Sequence, residues 1–199
     1  MLLWGIFKMN IIGERLNKIE EKISEQYFRE NKGLGNEVGY YIFDYHAKEE
    51  LHVRTHIEYL KNKINKGNLE FKIVEFDLYN MIIDILKDRG YLEKCFEFEE
   101  KKGIGHTFEA IIKMLRLTGK NNLLVNHIME NTDKNTVVFI TGVGKCYPIV
   151  RSHNVLNNLH QILDTVPVVL FFPGEYSGQD LQLFGTIKDD NYYRAFKLV

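Results

Sequence analysis

Three carboxylates stand where apolar runs end. Asp44 falls within "YYIFDY" (Tyr40 to Tyr45), and Glu175 and Asp180 follow "VVLFFPG" inside the stretch "EYSGQD". Paired carboxylates do acid and base work when their surroundings separate their pKa values, and ligands of α/β sheets bind outside the carboxyl ends of the strands. Those ends carry Asp44, His46, Thr141, Gly142, Glu175 and Tyr176. A structural role is equally open: Pro173-Gly174 would turn the chain, and the acids would bond backbone N–H groups. Arg151 and Arg194 are the expected counter-ions.

Other constellations fail on a required residue. A phosphate-binding loop needs GxxxxGK[ST], in which backbone N–H groups cradle the phosphates and the hydroxyl holds magnesium. "FITGVGKC" offers Gly144-Lys145, but Phe139 stands where the first glycine belongs and Cys146 replaces the hydroxyl. The dinucleotide fingerprint GxGxxG breaks at Tyr147 in one candidate and at Phe108 in "GIGHTF". Both glycine pairs therefore read as turn residues. His52 and His56 have the i, i+4 spacing of HExxH without its glutamate, and His153 and His160 lie too far apart to share an ion, so neither pair predicts a metal. Ser177 has only half of the GxSxG elbow. No cofactor is expected.

The elements that must position these residues are legible from periodicity. Ile12, Leu16, Ile19 and Ile23 recur at helical spacing, predicting an amphipathic helix over about 10–30. "YYIFDY" reads as a strand, followed by a helix with Leu51, Ile57, Leu60 and Ile64 on its stripe. "FKIVEFDL" (Phe71 to Leu78) is the next strand, and Met81, Ile82, Ile85 and Leu86 mark the next helix. Two or three helices fill Tyr91 to Glu130, with Phe108, Ile111, Ile112 and Leu115 as the clearest stripe. "NTVVFITGV" is a buried strand by its β-branched density, and Ser152 caps a helix faced by Val155, Leu156, Leu159, Ile162 and Leu163. "TVPVVLFFPG" is the fourth strand. Turn chemistry at Asp189, Asp190 and Asn191 predicts a terminal hairpin or short crossover. Alternating strands and helices mean an α/β fold with a mainly parallel sheet flanked by helices, a degenerate P-loop-like or Rossmann-like three-layer sandwich.

Composition narrows the function classes. A chain of 199 residues with 45% hydrophobic content is expected to form one globular domain. The 26 basic and 27 acidic residues leave a net charge of -1, so a dedicated nucleic-acid surface is not indicated, although a local basic face would allow DNA binding. Cys95 and Cys146 form no CxxC pair and are expected as free thiols in a reducing compartment. The apolar run of "MLLWGIFKMN" lacks the flanks of a signal peptide, and Met1 and Met9 both remain open as the start. No stretch reaches the ~18 apolar residues of a membrane span. A cytoplasmic protein is expected.

Three blocks carry a family resemblance: "GYYIFDYHAKEELHVRTHIEYLK", "FITGVGKCYPIVRSHNVLNNL" and "PVVLFFPGEYSGQDLQLFGTIKDDNYYRAFKL". Together they resemble the BrxB family of bacterial BREX phage-defence systems, over most of the chain from about Ile12. The most specific part runs from Phe172-Pro173-Gly174-Glu175-Tyr176 through Leu183-Phe184-Gly185 to Tyr192-Tyr193-Arg194-Ala195-Phe196. The resemblance implies one BrxB-like α/β domain over 1–199 and a non-enzymatic adaptor role. It names a PglZ-like BREX protein as first partner, with other BREX subunits behind it, and brings no catalytic residue. An unrecognised hydrolase using Asp44, Glu175 and Asp180, and a DNA-binding accessory subunit, are the alternatives. The candidate contact or loop residues are Asp44, Arg151, Glu175, Tyr176, Asp180, Tyr192, Tyr193 and Arg194.

Overall fold

The computed structural model describes residues 2–30, 39–117, 121–159, 163, 165–189 and 195–199. The chain opens with α1 (Leu2–Ser24) and a short α2 (Gln26–Arg29), so helix already forms ahead of the stripe that starts at Ile12. Strand β1 (Tyr40–Tyr45) leads through α3 (Glu50–Lys66) to β2 (Lys72–Asp77). Four helices follow: α4 (Leu78–Asp88), α5 (Leu92–Lys102), α6 (Ile104–Leu115) and α7 (Leu123–Glu130). Then come β3 (Thr136–Thr141), α8 (Val143–Cys146), α9 (Ser152–Leu159) and β4 (Val168–Tyr176). Short strands β5 (Leu181–Leu183), β6 (Ile187–Asp189) and β7 (Phe196–Lys197) end the chain.

The strands order as β2-β3-β4-β1-β7, every neighbouring pair parallel. The near-continuous apolar strands conceal a period of two, since a doubly covered sheet needs both faces apolar. Even-numbered residues such as Ile42, Val138, Leu170 and Phe172 pack with Leu86, Ile111, Leu124 and Leu156 from α4, α6, α7 and α9. Odd-numbered Phe43, Phe139, Val169 and Phe171 pack on the other face with Ile19, Ile23, Ile57 and Leu60 from α1 and α3. The result is the expected α/β layering. In α3 the buried stripe is Val53, Ile57, Leu60 and Ile64, while Leu51 is exposed. Six positions separate Leu51 from Ile57, which turns it away from a face that repeats every three or four.

Two edges are managed by side chains. The Asn65 amide donates to the Ile73 carbonyl and accepts from its N–H, both at 2.8 Å, so the outer rim of β2 is partly closed by α3. Asp77 ends β2 and caps α4, accepting from the N–H groups of Tyr79 and Asn80 at 3.0 and 3.1 Å. Leu78, expected on the strand, is the first residue of that helix.

The expected break at Pro173-Gly174 does not occur. β4 runs on to Tyr176, with Tyr45 opposite Pro173. In this ladder Val168 donates to Gly39 on the β1 side, and the Pro167 carbonyl accepts from Val138 on the β3 side. Odd positions therefore point toward β3, whose pairing stops at Leu170. The missing N–H of Pro173 faces the side β3 has left, so no ladder bond is lost there. β5 takes that side, antiparallel to β4, and β6 folds back on β5. This hairpin turns at Phe184-Gly185-Thr186, closed by Gly185 N–H to Gln182 and Thr186 N–H to Leu183, and Asp189 is the last residue of β6. Asp190, Asn191 and the rest of the link from β6 to β7 lie outside the described residues. Among the described residues no helix is long and apolar enough to cross a membrane.

Candidate functional site

The carboxyl edge of the sheet divides into a knot around Asp44 and a cleft around Glu75 and Asp77. In the first, α1 brings Arg15 across the end of β1. Its guanidinium donates to the Asp44 carbonyl and to Oδ1, both at 2.8 Å, and to the Val199 carbonyl at 3.3 Å, while lying 4.7 Å above the Phe43 ring. Asp44 Oδ2 accepts from the Tyr176 N–H and from Lys197 Nζ, each at 3.1 Å. The Tyr176 hydroxyl lies 2.6 Å from the Ala195 carbonyl and 3.0 Å from that of Gly178. One buried carboxylate therefore ties together α1, β1, β4 and β7. The sequence gives no local sign of this, since Arg15 and Lys197 lie 29 and 153 positions away.

The three strand-end acids sit in different surroundings. Asp44 is neutralised from two sides, Tyr176 is buried, and Glu175 and Asp180 face solvent. Ser177 Oγ accepts from the N–H groups of Gln179 and Asp180 at 3.2 and 2.9 Å, fixing the turn. Glu175, Asp180 and Lys188 line an open cleft of about 400 Å³. Arg151 is exposed beside a different hollow, with Val143, Ile187 and Lys188, and makes no ion pair with these acids among the described residues. The counter-ions of Asp44 are Arg15 and Lys197. Tyr192, Tyr193 and Arg194 lie outside the described residues.

The glycines and lysine of "TGVGK" are taken up by packing. Gly142 has φ 76°, and a Cβ there would sit 2.6 Å from Asp77 Oδ1. A Cβ on Gly144 would sit 2.9 Å from the Phe184 ring and 3.1 Å from Pro173. Lys145 forms an ion pair with Asp77, already bound to the start of α4. The lysine a phosphate loop would point at a ligand is engaged inside the protein. Cys146, in the hydroxyl position, is buried; burial and the nearby Asp77 charge push its thiol up to about 12, with Lys145 opposing.

A cleft of about 440 Å³, missed by the sequence reading, opens beside β2. Glu75 lies at its floor, held by Lys61 at 2.6 Å and by the Thr141 hydroxyl at 2.8 Å. Arg54, Asn80, Asp84 and His127 stand on its walls. Lys61 reaches Glu75 from the preceding α3, and Thr141 reaches it only because β3 stands beside β2. On α3, His52 Nδ1 meets Glu49 at 2.8 Å, and burial holds the His56 imidazole below its ordinary value. No group of three or more metal-ligating side chains occurs among the described residues.

The relatives share one description. A family model described as BREX protein BrxB matches residues 74–198, from β2 through β7. The chain belongs to the BrxB family. It is 53% identical over 191 residues to a BREX protein BrxB of Bacillus cereus (strain H3081.97), covering 96% of this chain and 99% of that protein. It is 35% identical over 191 residues to a BREX protein BrxB of Escherichia coli O9:H4 (strain HS), covering 95% and 92%. No solved structure matches the chain. The family match takes in the Tyr176 and Lys197 side of the Asp44 knot, on β4 and β7, while Arg15 and Asp44 lie ahead of it.

Proposed function

We propose that this BrxB-family chain is a non-enzymatic assembly component of a BREX phage-defence complex, acting in the cytoplasm as one domain and binding a PglZ-like subunit. The observation that carries the reading is the engagement of Asp44 and Lys145 within the protein. Where an α/β enzyme would keep reactive groups facing a ligand, Asp44 is held by Arg15, Lys197 and the Tyr176 N–H, and Lys145 by Asp77. Family membership supplies the system in which such a protein would work.

Co-expression of the tagged chain with the other BREX subunits tests it. A stoichiometric complex containing the PglZ-like subunit, stable through size exclusion, is the expected result. A chain that runs alone beside its own system's subunits, while phage protection still depends on it, would sink the adaptor reading. Substitution of exposed Glu175 and Asp180 by alanine should leave protection unchanged; loss of protection with the complex intact would instead favour the hydrolase.

A further inference from the structure

Arg29, at the end of α2, is held in place without being neutralised. Its guanidinium carbon lies 5.2 Å from the centre of the buried Phe71 ring, a cation–π contact that positions the group. Its Nε is buried and has no hydrogen-bond partner among the described residues. A guanidinium stays charged, carries N–H donors only, and is matched best by the paired oxygens of a carboxylate or phosphate. Within the described residues its ion pair is with Glu70, whose carboxylate stands 3.6 Å from Nη1, beyond hydrogen-bond length, on a side chain that is 89% exposed. An exposed pair of that length holds little.

Arg29 and Glu70 line a hollow of about 480 Å³ with Phe71, just ahead of β2, and with residues 134–137 at the start of β3. It lies at the amino end of the sheet, away from the Asp44 knot and the cleft beside Glu75. Since Nη1 is the atom that approaches Glu70, the outer edge of the guanidinium faces this hollow. Lys134 also lines it, exposed and without an ion pair among the described residues, and Asn135 adds an exposed amide. Asp133 is exposed nearby but does not line the hollow. Two cations thus face one outward acid. A single carboxylate would answer only one of them, whereas a phosphate group brings enough charge for both and three oxygens for the arginine fork and the lysine.

We propose that the hollow at the amino edge of the sheet is a phosphate-binding site, with Arg29 and Lys134 as its cations, Asn135 as a further donor and Glu70 as the carboxylate that the phosphate displaces. The site is independent of the adaptor reading.

The test is titration of the full chain with inorganic phosphate at constant ionic strength, followed through the NMR signals of the Arg29 Nε–H and the Asn135 backbone amide, and repeated with a short DNA duplex. A saturable shift of both signals is expected. Lys134→Ala should weaken binding roughly tenfold, as loss of a charge-assisted hydrogen bond does. Arg29→Lys, read at the Asn135 amide, should weaken it as much by losing the fork. Glu70→Gln should tighten it and leave melting unchanged. Tighter binding of the duplex, falling as salt is raised, would assign the phosphate to a nucleic-acid backbone; binding of inorganic phosphate without the duplex would assign a free phosphate group. The proposal is overturned if neither probe gives a saturable shift, or if Lys134→Ala and Glu70→Gln both leave the affinity unchanged. A Glu70→Gln protein that melts lower and gains no affinity would also overturn it, by making Glu70 the structural partner of Arg29. None of these outcomes bears on complex formation.

Discussion

Replacing Asp44 with asparagine keeps the shape of the side chain and removes what holds the knot. An amide can accept on one oxygen only, so either Arg15 or the pair Tyr176 N–H and Lys197 must face an NH2 donor. A buried N–H left without an acceptor costs about 1–3 kcal/mol. The two ion pairs add less, because Arg15 and Lys197 are 25% and 51% exposed, and partly solvated pairs contribute only about 0.2–1 kcal/mol each. The expected loss is therefore roughly 2–4 kcal/mol. In a chain of this length each kcal/mol shifts the melting temperature by about 2–4 °C, so a fall of roughly 4–16 °C is expected. Urea unfolding and thermal melting measure it directly, and the double substitution with Arg15→Ala isolates the coupling. A melting shift under ~2 °C, or substitutions that add within about 0.5 kcal/mol, would refute the idea that this carboxylate ties the chain ends to the sheet.

Two further outcomes follow from packing and burial. Gly174→Ala should cost roughly 1–3 kcal/mol as overpacking, because its Cβ would lie 2.2 Å from the Gln182 carbonyl oxygen in the facing strand. Gly144→Ala should cost less, since the atom it meets belongs to the half-exposed Phe184 ring, which can shift; denaturation midpoints compare the two. Burial lowers His56 from its ordinary 6.5, with a Leu16 backbone contact and Glu20 opposing. The unfolded chain then holds more protons than the folded one below that pH, so stability falls as pH drops through about 6.5. The loss in urea midpoint between pH ~7.5 and ~5.5 should shrink in His56→Gln; an unchanged loss would remove His56 as its source.

Much of this architecture is local and therefore legible in the chain itself. Ile12, Leu16, Ile19 and Ile23 lie on the buried face of α1, and the four long apolar runs became the four central parallel strands. These features arise because a helix repeats every 3.6 residues and a doubly covered strand must be apolar throughout. The acid inside "YYIFDY" was also visible, since a carboxylate in an aromatic strand needs a partner. Its partners were not. Arg15, the Tyr176 N–H and Lys197 lie 29, 132 and 153 residues from Asp44 and meet it only because β1 stands between β4 and β7. Pro173-Gly174 likewise carries the local chemistry of a turn. Tertiary structure overrode it: the pairing of β3 with β4 stops at Leu170, which frees the side a proline cannot bond, and β5 then approaches so closely that only glycine fits. Sequence fixes which faces are apolar, because that depends on neighbours three or four positions away; strand order decides which charges meet, because that depends on residues the chain brings together only after folding.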